Sequence, residues 1–120
     1  MHSGRRVLVV QDQERAGEAL ADILTMHGHQ VRTCWRLCDL PHQLGSFVPE
    51  IIILELAPGP ARDACHIIRS DPRTAAAVLL AAADPSACGE LRALQLHAVL
   101  PSPAPAKPLL RLLETLTPRG

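Results

Sequence analysis

Hydrophobic positions fall along this chain in two rhythms. Residues 49–59 read Pro49-Glu50-Ile51-Ile52-Ile53-Leu54-Glu55-Leu56-Ala57-Pro58-Gly59. Ile51 to Leu54 are all large and apolar, and no polar residue alternates with them. That predicts a strand buried on both faces, as in the middle of a parallel sheet. Val7-Leu8-Val9-Val10 predicts a second buried strand over residues 5–10. Between them the rhythm turns helical. Ala16, Ala19, Leu20, Ile23, Leu24 and His27 recur at steps of three and four, predicting a helix over 14–27 that Gly28 stops.

The remaining elements follow in alternation. Val31 and Thr33 mark a short strand over 30–34. Asp39 is a candidate cap for a helix through Phe47, with Pro41 tolerated in its first turn. A helix over 61–69 is closed by Ser70-Asp71-Pro72-Arg73. Residues 77–82 form an apolar strand, although its alanines keep a helix open as the alternative. Asp84-Pro85-Ser86 is a helix start, cap then proline, and that helix carries Leu91, Leu94, Gln95 and His97. Ala98 to Leu100 is the last strand. After Pro101-Ser102-Pro103-Ala104-Pro105, the leucines 109, 110, 112, 113 and 116 form the apolar stripe of a final helix that ends before Pro118. Five strand–helix units joined by short connections predict a parallel sheet covered on both faces by right-handed crossovers.

Composition narrows the picture. A chain of 120 residues suits one domain, 1–120, structured over about 4–117. Aromatics are only 2%, so Leu, Ile, Val and Ala must build the core. Twelve basic and twelve acidic residues balance, and no basic stripe asks for nucleic acid or an anionic membrane. No apolar run is long enough for a bilayer, and Arg5-Arg6 with four apolar residues is no signal peptide. Four cysteines without framework spacing suit a reducing cytosol, so a cytoplasmic location is expected.

Glu55 ends the most buried strand. In open α/β sheets, chemistry gathers beyond the carboxyl ends of the strands, so Glu55 is the first functional candidate. A solvated carboxylate at a loop edge is the plain alternative. Cys34, Cys38 and His42 are spaced by four, but Pro41 and the strand end at Cys34 argue against a shared metal-binding helix face. The six histidines show no ligand spacing. Asp12-Gln13-Glu14-Arg15-Ala16-Gly17 faintly matches a cobalamin-binding motif, with Glu14 where the ligating His would stand. Gln11-Asp12-Gln13-Glu14 would repel the phosphate of a flavodoxin-type cofactor.

These landmarks together resemble the receiver domain of bacterial two-component response regulators. Val7 to Asp12 matches the first strand and its acidic corner. Pro49 to Leu56 with Pro58-Gly59 matches the third strand and phosphorylation loop, one residue short. Cys65 to Arg73, Leu91-Arg92-Ala93-Leu94 and Ser102-Pro103 fall in order at nearly the family's spacings. The resemblance covers essentially the whole chain. It implies a flavodoxin-like (βα)5 three-layer sandwich with a five-stranded parallel sheet in the order 2-1-3-4-5. It also implies a role in phosphorelay signalling, not as an enzyme, with a histidine kinase or output domain as partner and a homodimer as a further option.

The family's phosphorylation chemistry is only partly represented. Its paired metal-binding acids become Gln11 and Asp12, so one anionic Mg²⁺ ligand is a neutral amide. The nucleophilic Asp becomes Glu55, which keeps the carboxylate but moves its oxygen by one methylene. The hydroxyl position falls at Ala82, the aromatic switch position at Val99 and the lysine position at Ser102. Lys107-Pro108 is the alternative match for the lysine, requiring a loop insertion. No cofactor is expected, and Mg²⁺ on Asp12 and Glu55 would be weak. The expected function is therefore a degenerate receiver acting through protein contacts. A receiver still phosphorylated on Glu55 and a small-molecule-binding flavodoxin-like domain are the alternatives. The leucine cluster of the last helix is either core or a partner surface.

Overall fold

Val7 to Val10 and Ile51 to Leu54 leave no face for water, so their strands must lie inside a sheet rather than at its edge. The structure, a computed structural model, describes residues 4–11, 14–101 and 106–116. It contains strands β1 (Arg6–Gln11), β2 (Gln30–Cys34), β3 (Ile51–Glu55), β4 (Val78–Ala83) and β5 (Ala98–Pro101). Between and after them run helices α1 (Glu14–Met26), α2 (Leu40–Phe47), α3 (Pro58–Ser70), α4 (Cys88–Arg92) and α5 (Ala106–Leu116). All strand pairings are parallel, in the order β2-β1-β3-β4-β5. The two unbroken apolar strands, β1 and β3, sit as neighbours, and the predicted topology is the observed one.

Strand parity divides the core. Leu8, Val10, Ile52, Leu54, Leu79 and Ala81 face one side, where Leu40 and Leu44 of α2, Ala64, Cys65 and Ile68 of α3, and Leu91 of α4 cover them. Val7, Val9, Ile51, Ile53, Val78 and Leu80 face the other, under Leu20 and Leu24 of α1 and Leu109 and Leu113 of α5. Burying a side chain of this size is worth about 1.5–3 kcal/mol. A sheet apolar on both faces needs helices on both, and that makes three layers.

Several local expectations are corrected. Pro58 and Gly59 do not form a loop but open α3, because a proline at the first helical position lacks only a donor that the helix would leave free anyway. Asp39 and Asp84 make no capping hydrogen bond through their side chains; Asp39 closes a 3-10 turn over Leu37–Asp39 that runs into α2, and Asp84 precedes another over Pro85–Ala87. Helix α4 stops at Arg92 and does not carry Leu94, Gln95 or His97. Gln95 takes a positive φ of 59°, and the backbone N–H of His97 donates to Leu79 O, so this segment already approaches the sheet. The alanine-rich stretch at residues 77–82 is a strand, β4, one residue further on. Gly28 stops α1 with φ 91°, and the N–H of His29 donates back to Leu24 O as in a Schellman ending.

Candidate functional site

The carboxyl ends of β1 and β3 finish level. Gln11 pairs in register with Glu55, on strands whose spacing in a sheet is about 4.8 Å. Leu54 pairs with Ala81, so the next step sets Ala82 beside Glu55, and Ala82 pairs in turn with Leu100. Gln11, Glu55, Ala82 and Leu100 therefore form one row across four strands, all on the α1–α5 side by strand parity. Gln11 and Ala82 are buried, and Glu55 is partly exposed. Asp12 and Ser102 lie outside the described residues. Val99 pairs with Ala81 and packs, half-buried, against the opposite core, under the α2–α4 layer. The row thus brings Gln11, Glu55 and Ala82 together and leaves Val99 on the other side of the sheet.

Among the described residues the row holds a single carboxyl, and it lies in poor solvent. Glu55 Oε1 is buried without a hydrogen-bond partner among the described residues. Burial pushes the Glu55 carboxyl above the usual carboxylate range. Beside it stand a neutral amide and a methyl group, neither of which brings charge. Mg²⁺ prefers anionic oxygens in octahedral array. Among the described residues no three His, Cys, Asp or Glu side chains converge as a metal would require. Among the described residues, one carboxyl that burial favours in its neutral form, next to an amide, is a poor fit to that ion. Ala82 offers no hydroxyl to a phosphoryl oxygen.

The leucines of α5 divide cleanly. Leu109 and Leu113 are fully buried, and Leu110 and Leu112 are half-buried against the same cluster. The side chain of Leu116 lies outside the description. The exposed large hydrophobics among the described residues are Met26 and Trp35, neither of them on α5. For the described leucines, the core reading therefore accounts for the stripe.

Two features escaped the sequence. A groove of about 620 Å³ runs between α2 and α3, lined by Pro41, His66, Ile67 and the Ser70 to Arg73 turn. There Arg73 forks onto Asp71 at 3.0–3.1 Å, and the pair holds the Asp71 carboxyl below its usual range. Only the Asp-Pro-Arg turn hinted at it. The second feature is the use of histidines as backbone acceptors. His29 Nδ1 accepts from the Arg5 N–H and His97 Nδ1 from the Leu79 N–H. Ligand spacing was the wrong signal to seek, because each histidine works alone.

No family model matches the chain, and no curated protein matches it. Solved structures do. A response regulator receiver protein from Pseudomonas putida is 22% identical, with a TM-score of 0.80 over 96% of this chain and 99% of its own. A chemotaxis response regulator of Vibrio cholerae is 18% identical, with a TM-score of 0.78 over 94% and 98%. The signal receiver domain of a histidine kinase from Syntrophus aciditrophicus is 17% identical, with a TM-score of 0.78 over 98% and 96%. The strand order, the split of helices over two faces and the near-complete overlap agree: this chain has the flavodoxin-like fold of response-regulator receiver domains.

Proposed function

We propose that this chain is a cytoplasmic signal-receiver domain of a two-component pathway, without enzymatic activity, that acts through protein contacts rather than a phosphoryl switch. The observation that carries the reading is the row Gln11–Glu55–Ala82. It occupies the place where a receiver would gather a metal ligand, a phosphoacceptor and a hydroxyl. Here it holds a buried amide, a carboxyl that burial favours in its neutral form, and a methyl group. A conformational switch needs a ligand that interacts differently with two states, and the Ala82 methyl offers a phosphoryl group no hydrogen bond with which to do so. The partner is a histidine kinase or an output domain. Its contact is proposed on the face of α4, β5 and α5, where Lys107 and Arg111 are exposed. Among the described residues no helix is long and apolar enough to cross a membrane.

The test is incubation with acetyl phosphate and Mg²⁺ followed by intact-mass measurement. An unmodified mass is expected. A stoichiometric phosphoryl adduct that disappears in Glu55→Gln would instead make this a working phosphoacceptor.

A further inference from the structure

Two histidines stand at equivalent places on opposite edges of the sheet. His29 immediately precedes β2 and His97 immediately precedes β5, and these are the two edge strands. Each ring supplies an acceptor to the neighbouring inner strand. The Arg5 N–H donates to His29 Nδ1 at 3.1 Å, and the Leu79 N–H donates to His97 Nδ1 at 3.0 Å. A backbone N–H can only donate, so in each ring Nδ1 must be unprotonated and the proton must sit on Nε2. At the β1–β2 edge the main chain closes the link from the other side. The Gln30 N–H donates to Arg5 O at 2.9 Å. Arg5 is therefore gripped at both its N–H and its carbonyl by the consecutive residues His29 and Gln30.

We propose that His29 is a proton-operated latch on the β1–β2 edge, closed while Nδ1 can accept from Arg5 and opened when Nδ1 takes up a proton. A protonated imidazole has two donors and no acceptor, so Arg5 N–H and Nδ1–H would then face each other. The described charged groups around the ring mostly oppose that proton. Burial disfavours it most, then the His27 imidazole at the end of α1 and the Arg5 guanidinium, while Glu114 on α5 favours it. The balance lowers the proton affinity of His29 below that of an ordinary histidine. The unfolded chain therefore binds the extra proton more readily. The stability that the latch contributes is complete above the ordinary histidine range, near pH 6.5, and is lost as pH falls below it. The latch sits at the amino end of β1, the opposite end from Gln11 and Glu55, so its state can be read separately from that site.

The experiment is NMR of the ¹⁵N-labelled full chain between pH 5 and pH 8. Long-range ¹H–¹⁵N spectra are expected to show His29 at pH 8 as the Nε2–H tautomer. As the ring titrates, the Arg5 amide is expected to lose roughly fivefold in hydrogen-exchange protection after correction for intrinsic rate, the size one net hydrogen bond supports. The amides of Ile52 and Ile53 serve as the reference and should hold their protection. In His29→Asn the side-chain oxygen remains an acceptor that cannot titrate, and Arg5 should stay protected down to pH 5. An Nδ1–H tautomer at pH 8, or Arg5 protection indifferent to the His29 titration, would overturn the latch. So would an acid loss of the same size in His29→Asn.

Discussion

Glu55 is the residue at which sequence and surroundings disagree most. The chain spends a charged residue at the end of its most buried strand, and the structure gives Oε1 no partner among the described residues. The sign of the effect follows from burial. The folded chain favours the neutral acid, so it binds a proton that the unfolded chain has already released at the same pH. Stability at this site is highest below the ordinary glutamate range, about pH 4, and falls as pH rises through the elevated folded value. Glu55→Gln removes the charge while keeping the shape. Urea denaturation is expected to find the variant more stable than the wild type at pH 8, with the gap closing below about pH 4. A loss of stability at pH 8 would mean that the carboxylate has a cationic partner after all. Val48 is a second residue under local constraint. It ends α2 in the left-handed region, at φ 48°, where a β-branched side chain is strained. Its carbonyl accepts from Arg6 Nε at 2.9 Å, which helps hold the turn before buried Pro49. Such strain is worth about 1–3 kcal/mol, and glycine loses about 0.5–1 kcal/mol in backbone entropy. Val48→Gly should therefore stabilise the fold by about 1 kcal/mol in thermal or urea unfolding. Nothing in the sequence marked Val48, because the left-handed turn is imposed by the run from α2 into β3.

At the scale of elements, legibility tracked how far a segment's pattern excludes alternatives. Ile51 to Leu54 and Val7 to Val10 are apolar throughout, and both proved to be inner strands. β4 was ambiguous because alanine favours helix; its place between β3 and β5 decided the matter. Helix ends were the weakest point, since Asp39 and Asp84 look like caps and make no capping bond. The contact between α2 and the turn after α3 could not be read from the sequence at all. A Cβ added at Gly45 would stand 2.8 Å from Arg73 Nη1. Alanine at an interior helix position is favoured over glycine by about 1 kcal/mol. Displacing the exposed Arg73 guanidinium from its pair with Asp71 works against that gain. The two effects oppose each other, so Gly45→Ala alone should change stability little. In an Arg73→Ala background the clash is gone, and the same substitution should stabilise by about 1 kcal/mol. A double-mutant cycle on urea midpoints reads this coupling directly. Equal effects of Gly45→Ala in both backgrounds would show that Arg73 moves aside freely.

At the scale of the whole molecule, the fold was far more legible than the site. Five alternating units with two unbroken strands admit few topologies, whereas a site depends on single atoms at strand ends. Gln11, Glu55 and Ala82 stand in one row because register follows from the sheet. Strand parity turns Val99 to the other face. On the proposed reading, the row could also be converted to a phosphoryl-accepting site. Gln11→Asp with Glu55→Asp restores two short carboxylates in register, enough for a Mg²⁺ ligand and a nucleophile. This pair is expected to become labelled by acetyl phosphate in intact-mass measurement. Labelling alone should not switch the domain, because Ala82 still offers no hydroxyl and Ser102 no cation. The amide spectrum of the labelled pair should change only around residues 11 and 55. Adding Ala82→Thr and Ser102→Lys supplies the two groups that can bind a phosphoryl differently in two states. Only this fourfold variant should propagate shifts into β4, β5 and α5 on labelling. Spread of shifts through those elements in the twofold variant would show that the native scaffold retains a switch independent of residues 82 and 102. Failure of the twofold variant to label, with its fold intact, would show that the strand ends themselves no longer hold the geometry of phosphoryl transfer.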